Sequence, residues 1–212
     1  MTRLAVDGLR AERESFLDVL RTLDEDEWDS VRDVVEHVAS THYRAIAPEL
    51  GEWPVVDPLT DFDTYTGKSL KVFAALQESP HAEREMDMAQ FGTHTTDRLA
   101  DLYLFDMYTH LRADVLRPYG PVDRPEPPRD EARLWPTVEW MVSVLPTPDA
   151  TIELDLDDRS WTLGDGRPVA RVRSDAHEFT IWASRRRPWR GFVTIEGDVA
   201  AAVAFLDAVN VV

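Results

Sequence analysis

An aspartate and a histidine stand four residues apart in one apolar stretch, at Asp106 and His110. Apolar or aromatic residues recur around them at steps of three and four, which predicts a helix from about 96 to 117 with this stripe buried. Side chains four residues apart on a helix point in the same direction and can hold one metal ion. A buried carboxylate needs such a cation, or hydrogen-bond donors, to offset the loss of water. The pair therefore predicts part of a metal site, with a bracing ion pair as the alternative.

A catalytic zinc site typically has three protein ligands and one open position, so a third ligand is needed. Spacing favours His42, because it falls on the same face as the valines of a second predicted helix, whereas His37 lies at the flank of that face. The residues alone leave the choice open among four histidines: His37, His42, His81 and His94.

The first half of the chain predicts four amphipathic helices. Such helices typically pack as a bundle, and the interior of a bundle commonly holds metal sites. Ser30, followed three residues later by Asp33, predicts the N-cap of the second helix. The apolar spacing that defines the first three helices is clearest at Leu9, Phe16, Leu20, Val31, Val35, Val38, Phe62, Tyr65 and Phe73.

Five prolines between Pro118 and Pro128 predict a linker, and Pro136 suits the first turn of a short helix after it. From Thr147 the apolar period changes to two, which predicts strands, while Asp175 and Asp198 predict the caps of two further helices. We therefore predict a helical bundle with a metal site at 1–120, a Pro-rich linker with a short helix at 121–147 and a small α+β domain at 148–212.

Composition and charge exclude several classes of protein. No apolar run is long enough for a membrane span, and residues 1–10 lack the apolar core of a signal peptide, so we expect a cytoplasmic protein without a membrane partner. The formal charge is −17, and residues 1–149 carry 30 acidic against 15 basic residues, which argues against a nucleic-acid partner. Only two of the basic residues are lysines, which is typical of a GC-rich genome and favours a bacterial source.

The chain contains no cysteine. Disulfides, thiolate metal ligands and a cysteine nucleophile are therefore excluded. Any thiol chemistry at the predicted metal site needs a sulfur supplied by another molecule.

Three stretches resemble the mycothiol-dependent maleylpyruvate isomerase family, a branch of the DinB-like metalloenzymes. Residues 31–38 resemble the signature of its second helix, and residues 105–110 resemble a signature in which an acidic residue precedes a histidine by four. Residues 151–212, with 192–198 as the clearest part, are similar to the sterol-carrier-protein-like domain that closes these proteins. The order of these parts agrees over nearly the whole chain.

The resemblance implies a DinB-like four-helix bundle that holds a divalent metal, zinc first among them, through His37, Asp106 and His110. It also implies a small-molecule substrate and mycothiol as the thiol cosubstrate. In the family reaction the thiolate adds to the conjugated double bond of maleylpyruvate, the adduct rotates, and loss of the thiol leaves fumarylpyruvate. Arg185 matches a small-residue–Arg step of the family and is predicted as a catalytic residue that anchors an anion.

The sequence departs from the family in three ways. The turn before the second predicted helix, Trp28 to Val31, is short, and the acidic ligand is Asp106 where characterised members have Glu. Ala113 stands where the family often has an Asp, and Asp114 follows it, which predicts a shifted contact or a local bulge in the helix. The short turn favours the alternative function, a non-catalytic binding or regulatory module on the same fold, while the ligand set favours an enzyme.

Overall fold

The computed structural model describes residues 2–47, 57–78 and 80–211. Contacts divide the chain into two compact units, Met1–Trp140 and Met141–Val212. The first is helical and the second combines helices with a sheet, so the predicted order of a helical and a small α+β part is confirmed. The predicted limits at 120 and 147 stay a prediction, and contacts group residues 121–140 with the helices.

Four helices build the first unit, and α1 packs on α4 while α2 packs on α3. Their apolar faces meet in a core that includes Phe16, Val35, Phe62, Phe73 and Leu104. Within the described ranges, none of the helices combines the length and the apolarity needed to cross a bilayer. The four helices are α1 (Thr2–Leu20), α2 (Glu25–Ile46), α3 (Pro58–Leu76) and α4 (Leu99–Thr109). A further helix, α5 (Glu131–Ser143), begins in the first unit and ends in the second.

Helix α2 begins earlier than the sequence predicts. Its N-cap is Asp24, whose side chain accepts a hydrogen bond from the Glu27 amide at 2.9 Å while the Glu27 carboxylate accepts one from the Asp24 amide at 3.3 Å. Ser30 lies inside the helix, where its hydroxyl donates to the Glu27 carbonyl at 2.6 Å. The predicted cap at Ser30 and the short turn at Trp28 to Val31 are therefore wrong, because these residues are helical.

The helix that carries Asp106 changes form where α4 ends. Residues His110–Val115 form a π-helix, in which the Leu116 amide donates to the carbonyl of Leu111, five residues earlier, at 2.9 Å. A π-turn accommodates one residue more than an α-turn. The local bulge that the position of Asp114 predicts is therefore present.

Two further elements of the first unit differ from the sequence prediction. A hairpin of β1 (Glu85–Asp87) and β2 (Thr93–Thr95) lies in a stretch without strand periodicity. Pro136 stands inside α5 and not in its first turn. Proline has no N–H for the carbonyl of Ala132, and that carbonyl faces Gly8 of α1 so closely that a Cβ there would lie 1.9 Å from it. Only glycine fits this helix contact.

The second unit is a four-stranded sheet with two helices. The strands are β3 (Ile152–Leu156), β4 (Arg159–Leu163), β5 (Ala170–Ser174) and β6 (Thr194–Gly197), in the order β4-β3-β5-β6. Strand β3 pairs in parallel with β5, and the other pairs are antiparallel. Alternate residues of β3 are buried, which confirms the period of two.

The two helices of this unit are α6 (Ala176–Ala183) and α7 (Val199–Ala208). Asp175 and Asp198 each accept hydrogen bonds from two backbone amides at the start of their helix. Both predicted caps are therefore confirmed, because a carboxylate at this position satisfies amides that have no partner within the helix.

Candidate metal centre

Three side chains from two helices converge at the edge of the first unit. His37 is on α2, Asp106 is on α4, and His110 opens the π-helix that follows α4. The Nε2 atoms of His37 and His110 lie 3.6 Å and 3.4 Å from Asp106 Oδ1. In the part of the chain that the structure describes, this is the one group of three histidine or acidic side chains whose ligand atoms all lie within 4.8 Å of one another.

The spacing of these atoms fits a tetrahedral cation. Zinc–nitrogen and zinc–oxygen bonds of about 2.0–2.1 Å place two ligand atoms about 3.4 Å apart in a tetrahedron. Asp106 Oδ2 is buried without a hydrogen-bond partner, and such an acceptor is destabilising unless a cation or donor meets it. Two imidazoles and a carboxylate are ligands that zinc and iron both accept. The site fits a divalent cation but does not identify the metal.

Asp114 orients one of the imidazoles. His110 Nδ1 lies 2.7 Å from Asp114 Oδ2, four residues further along the π-helix. Because a carboxylate accepts hydrogen bonds, Nδ1 carries the hydrogen and the lone pair of the neutral ring is on Nε2. A carboxylate behind a metal-binding histidine fixes the ring and makes it a stronger ligand.

The ligand atoms lie at a rim and not in the core. The side chains of His37, Asp106 and His110 are 50%, 18% and 15% exposed. The stripe that the sequence predicts to be buried is buried only in part, because the deepest face of the helix is the neighbouring one. That neighbouring face consists of Ala100, Leu104, Met107 and, beyond the end of α4, Leu111.

The charge of Asp106 is held by its neighbours. Without a metal, burial raises the pKa of this carboxyl, but His110 and His37, when their rings are protonated, lower the pKa well below its usual value through hydrogen bonds and positive charge. The carboxylate is therefore ionised, which is the form that binds a cation.

His42, which spacing favours as the third ligand, lies outside this group. It is fully buried, and its Nδ1 donates at 2.5 Å to the Ser69 hydroxyl, which in turn donates to the Thr66 carbonyl. Burial lowers the pKa of His42 to about 4, so the ring is neutral. Face counting misplaces the ligand because the site lies at the flank of α2, where His37 is.

The other candidate residues lie elsewhere. His94 is on the hairpin, where its Nε2 lies 2.8 Å from the Phe91 carbonyl, and His81 is exposed. Arg185 belongs to the second unit, where it donates to the backbone carbonyls of Val209 at 3.0 Å and Asp207 at 3.2 Å. Its role as an anion anchor stays a prediction.

Comparison with known proteins places this arrangement in a known fold. No family model matches the sequence, and no curated protein is significantly similar to it. Among solved structures, the chain is similar to the crystal structure of the mycothiol-dependent maleylpyruvate isomerase, with a TM-score of 0.55 at 16% identity. The two chains share a fold. The match covers 94% of this chain and 95% of that one.

A mutant of that enzyme in which alanine replaces a histidine is similar as well, with a TM-score of 0.52 at 15% identity. Coverage is again 94% of this chain and 95% of the other. Identities this low establish the shared fold and not the activity, so the function has to be argued from the site.

Proposed function

We propose that this chain is a metal-dependent enzyme of the maleylpyruvate isomerase type, which uses mycothiol for a cis–trans isomerisation or a related thiol transfer. The observation that carries the proposal is the convergence of His37, Asp106 and His110 at an accessible rim. The shared fold supports it, because the solved relatives are named as mycothiol-dependent isomerases.

His37, Asp106 and His110 would hold the cation, zinc by preference. When bound, a divalent cation lowers the pKa of a thiol and holds the resulting thiolate as a nucleophile. The absence of cysteine from the chain is consistent with a thiol that comes from another molecule.

The residues of this chain perform the remaining tasks. Two neutral imidazoles and one carboxylate supply a single negative charge, so a bound dication keeps a net attraction for anions. Asp114 holds the His110 ring in the orientation that presents Nε2. The half-exposed ring of His37 gives small molecules access from solvent.

The proposal also includes a domain type for the second unit and a role for its Arg185. We assign it to the sterol-carrier-protein-like type and assign Arg185 to the binding of a substrate or thiol carboxylate, for which a guanidinium is suited. Its hydrogen bonds to the carbonyls of Val209 and Asp207 fix the side chain. We expect a cytoplasmic location and a small-molecule substrate, with the acidic surface repelling nucleic acid.

Titration calorimetry of the purified protein tests the proposal. We expect the wild type to bind one zinc ion per chain and then to bind mycothiol with measurable heat. His37→Ala should lose both signals, whereas the matched control His81→Ala, at an exposed histidine outside the site, should keep both. Zinc binding without any heat from mycothiol would leave a metal-binding module, and equal behaviour of the two variants would refute the site.

A further inference from the structure

A buried charge cluster follows the candidate metal ligands in sequence. Arg112 is 2% exposed, and its guanidinium contacts the carboxylate of Glu12 on α1, which is fully buried. The same guanidinium lies 3.2 Å from a Glu126 oxygen, donates to the Pro128 carbonyl at 3.2 Å and stacks 3.8 Å from the Tyr108 ring centre. Arg112 therefore contacts side chains and a backbone carbonyl from several segments of the first unit.

Stability alone does not explain this cluster. Removing two charges from water is costly, and well-packed apolar side chains of similar volume are often at least as stabilising as a buried ion pair. What an ion pair adds is a defined geometry, because a guanidinium and a carboxylate meet in few arrangements. Where such a pair is retained, it can select one backbone conformation over another.

The backbone around Arg112 has an uncommon conformation, for which the common α-helix is the alternative. Arg112 is the third residue of the π-helix His110–Val115, and π-turns are rare beside the α-helical alternative. Within this turn, Asp114 contacts the His110 ring. An α-helical continuation would also bring residues four apart to one face, but it would change the angle between Asp114 and His110 around the helix axis and shift every later residue by one position.

We infer that Glu12 and Arg112 are positioning residues for the candidate metal centre. Their contact holds the 110–115 turn against α1 in its π form, and this form sets the angle at which Asp114 meets the His110 ring. The effect on metal affinity rests on the proposed function, but the hold on the turn does not, so the two are measured separately.

The test is the double variant Glu12→Leu/Arg112→Met, which removes this ion pair and keeps the apolar packing. Arg133, whose Nε lies 3.4 Å from Glu12, keeps its ion pair with Asp130 at 2.8 Å. In the metal-free protein, we expect hydrogen–deuterium exchange of residues 110–116 to become at least ten-fold faster while the midpoint of thermal unfolding changes little. In a titration in which the protein competes with a chelating dye for zinc, we expect the zinc affinity of the variant to be at least ten-fold lower than that of the wild type. Exchange and affinity both within two-fold of the wild type would overturn the inference.

Two further variants separate positioning from stability. Phe16→Leu alters a buried side chain one turn further along α1, so we expect it to lower stability without changing zinc affinity. Asp114→Asn should lower zinc affinity, and its effect should not add to that of the double variant, because both act through His110. Additive effects would show that Glu12 and Arg112 do not act through Asp114.

The test remains decisive if the wild type binds no zinc or if the double variant does not fold. If the wild type binds no zinc, the proposed function fails, and the exchange of residues 110–116 alone decides the inference. If the double variant does not fold, Glu126→Gln replaces it, since it weakens the same guanidinium from a partly exposed position. We then expect smaller changes in the same direction, and unchanged exchange and affinity would overturn the inference.

Discussion

The two units of this chain use charged side chains in opposite ways. In the helical unit, Glu12 and Arg112 are buried and Asp106 is half-buried, and each depends on a few specific partners. In the second unit, Arg171 and Glu153 pair at 2.6 Å across neighbouring strands, with side chains 39% and 28% exposed. Burying a charge is costly and exposing it is not, so a buried charge is a candidate for a functional role in binding, catalysis or the positioning of a site.

The largest effect in this comparison is expected at Glu12. Glu12→Leu removes the fully buried carboxylate partner of Arg112 and leaves it only the partly exposed Glu126. Breaking a buried pair costs about 3–5 kcal/mol of unfolding free energy. The double variant with Arg112→Met should recover most of that loss. Denaturant unfolding measures both, and a loss below about 1 kcal/mol for the single variant would mean that the pair is not buried as described.

The next effect concerns pH and the buried ring of His42. Its pKa is lowered to about 4 in the folded state, while an unfolded histidine titrates near 6.5. As pH falls below 6.5, the unfolded chain takes up the proton first, so stability is lost progressively until about pH 4. The two values correspond to a loss of about 3 kcal/mol.

A matched variant isolates this contribution. Asp101 acts in the opposite sense, because burial raises its pKa to about 7 and its contribution to stability is lost as pH rises from about 4 to 7. The comparison is therefore wild type against His42→Leu, both metal-free, from pH 8 to pH 4. Asp106 and Arg13 also act on this ring and are unchanged in the variant. Parallel curves would contradict the assignment.

A smaller effect is expected from the carboxylate behind the ligand. Asp114→Asn should weaken zinc binding about 10–100-fold. The amide orients the His110 ring less firmly than the carboxylate does, and the substitution removes a negative charge close to the cation. Asp123→Asn, at an exposed acid that pairs with Arg117, is the matched control and should leave the affinity unchanged. Competition titration with a chelating dye measures both, and equal affinities would exclude a role for Asp114.

The smallest effect is expected in the second unit. Glu153→Gln removes an exposed ion pair with Arg171 on the sheet, and such pairs contribute about 0–1 kcal/mol. Denaturant unfolding of this variant beside Glu12→Leu gives the contrast between the units directly. A loss above about 2 kcal/mol would remove the contrast.

Local sequence patterns, such as apolar spacing and capping residues, predict much of the fold. The period-two spacing predicts the strands of the second unit but not the hairpin of the first. Asp175 and Asp198 are recognisable as caps because each accepts hydrogen bonds from amides within three residues of itself. The start of α2 was misplaced because Asp24-x-x-Glu27 and Ser30-x-x-Asp33 both resemble capping motifs, and the earlier one lies in an acidic stretch without apolar periodicity.

The site was predictable only in part. Asp106 and His110 are close in sequence, but the choice of His37 over His42 came from the resemblance and not from spacing. Glu12 and Arg112 are one hundred residues apart, so no local pattern could join them. The burial that gives them their effect exists only once α1 and the turn after α4 have packed.

The convergence of three side chains on one cation is tested most directly by an anomalous difference map from crystals grown with zinc. We expect a single strong peak about 2.0–2.1 Å from His37 Nε2, His110 Nε2 and a carboxylate oxygen of Asp106. Crystals of Asp106→Asn under the same conditions should show this peak weakened or absent. A map without density among these atoms, with zinc absent or bound elsewhere, would contradict the account.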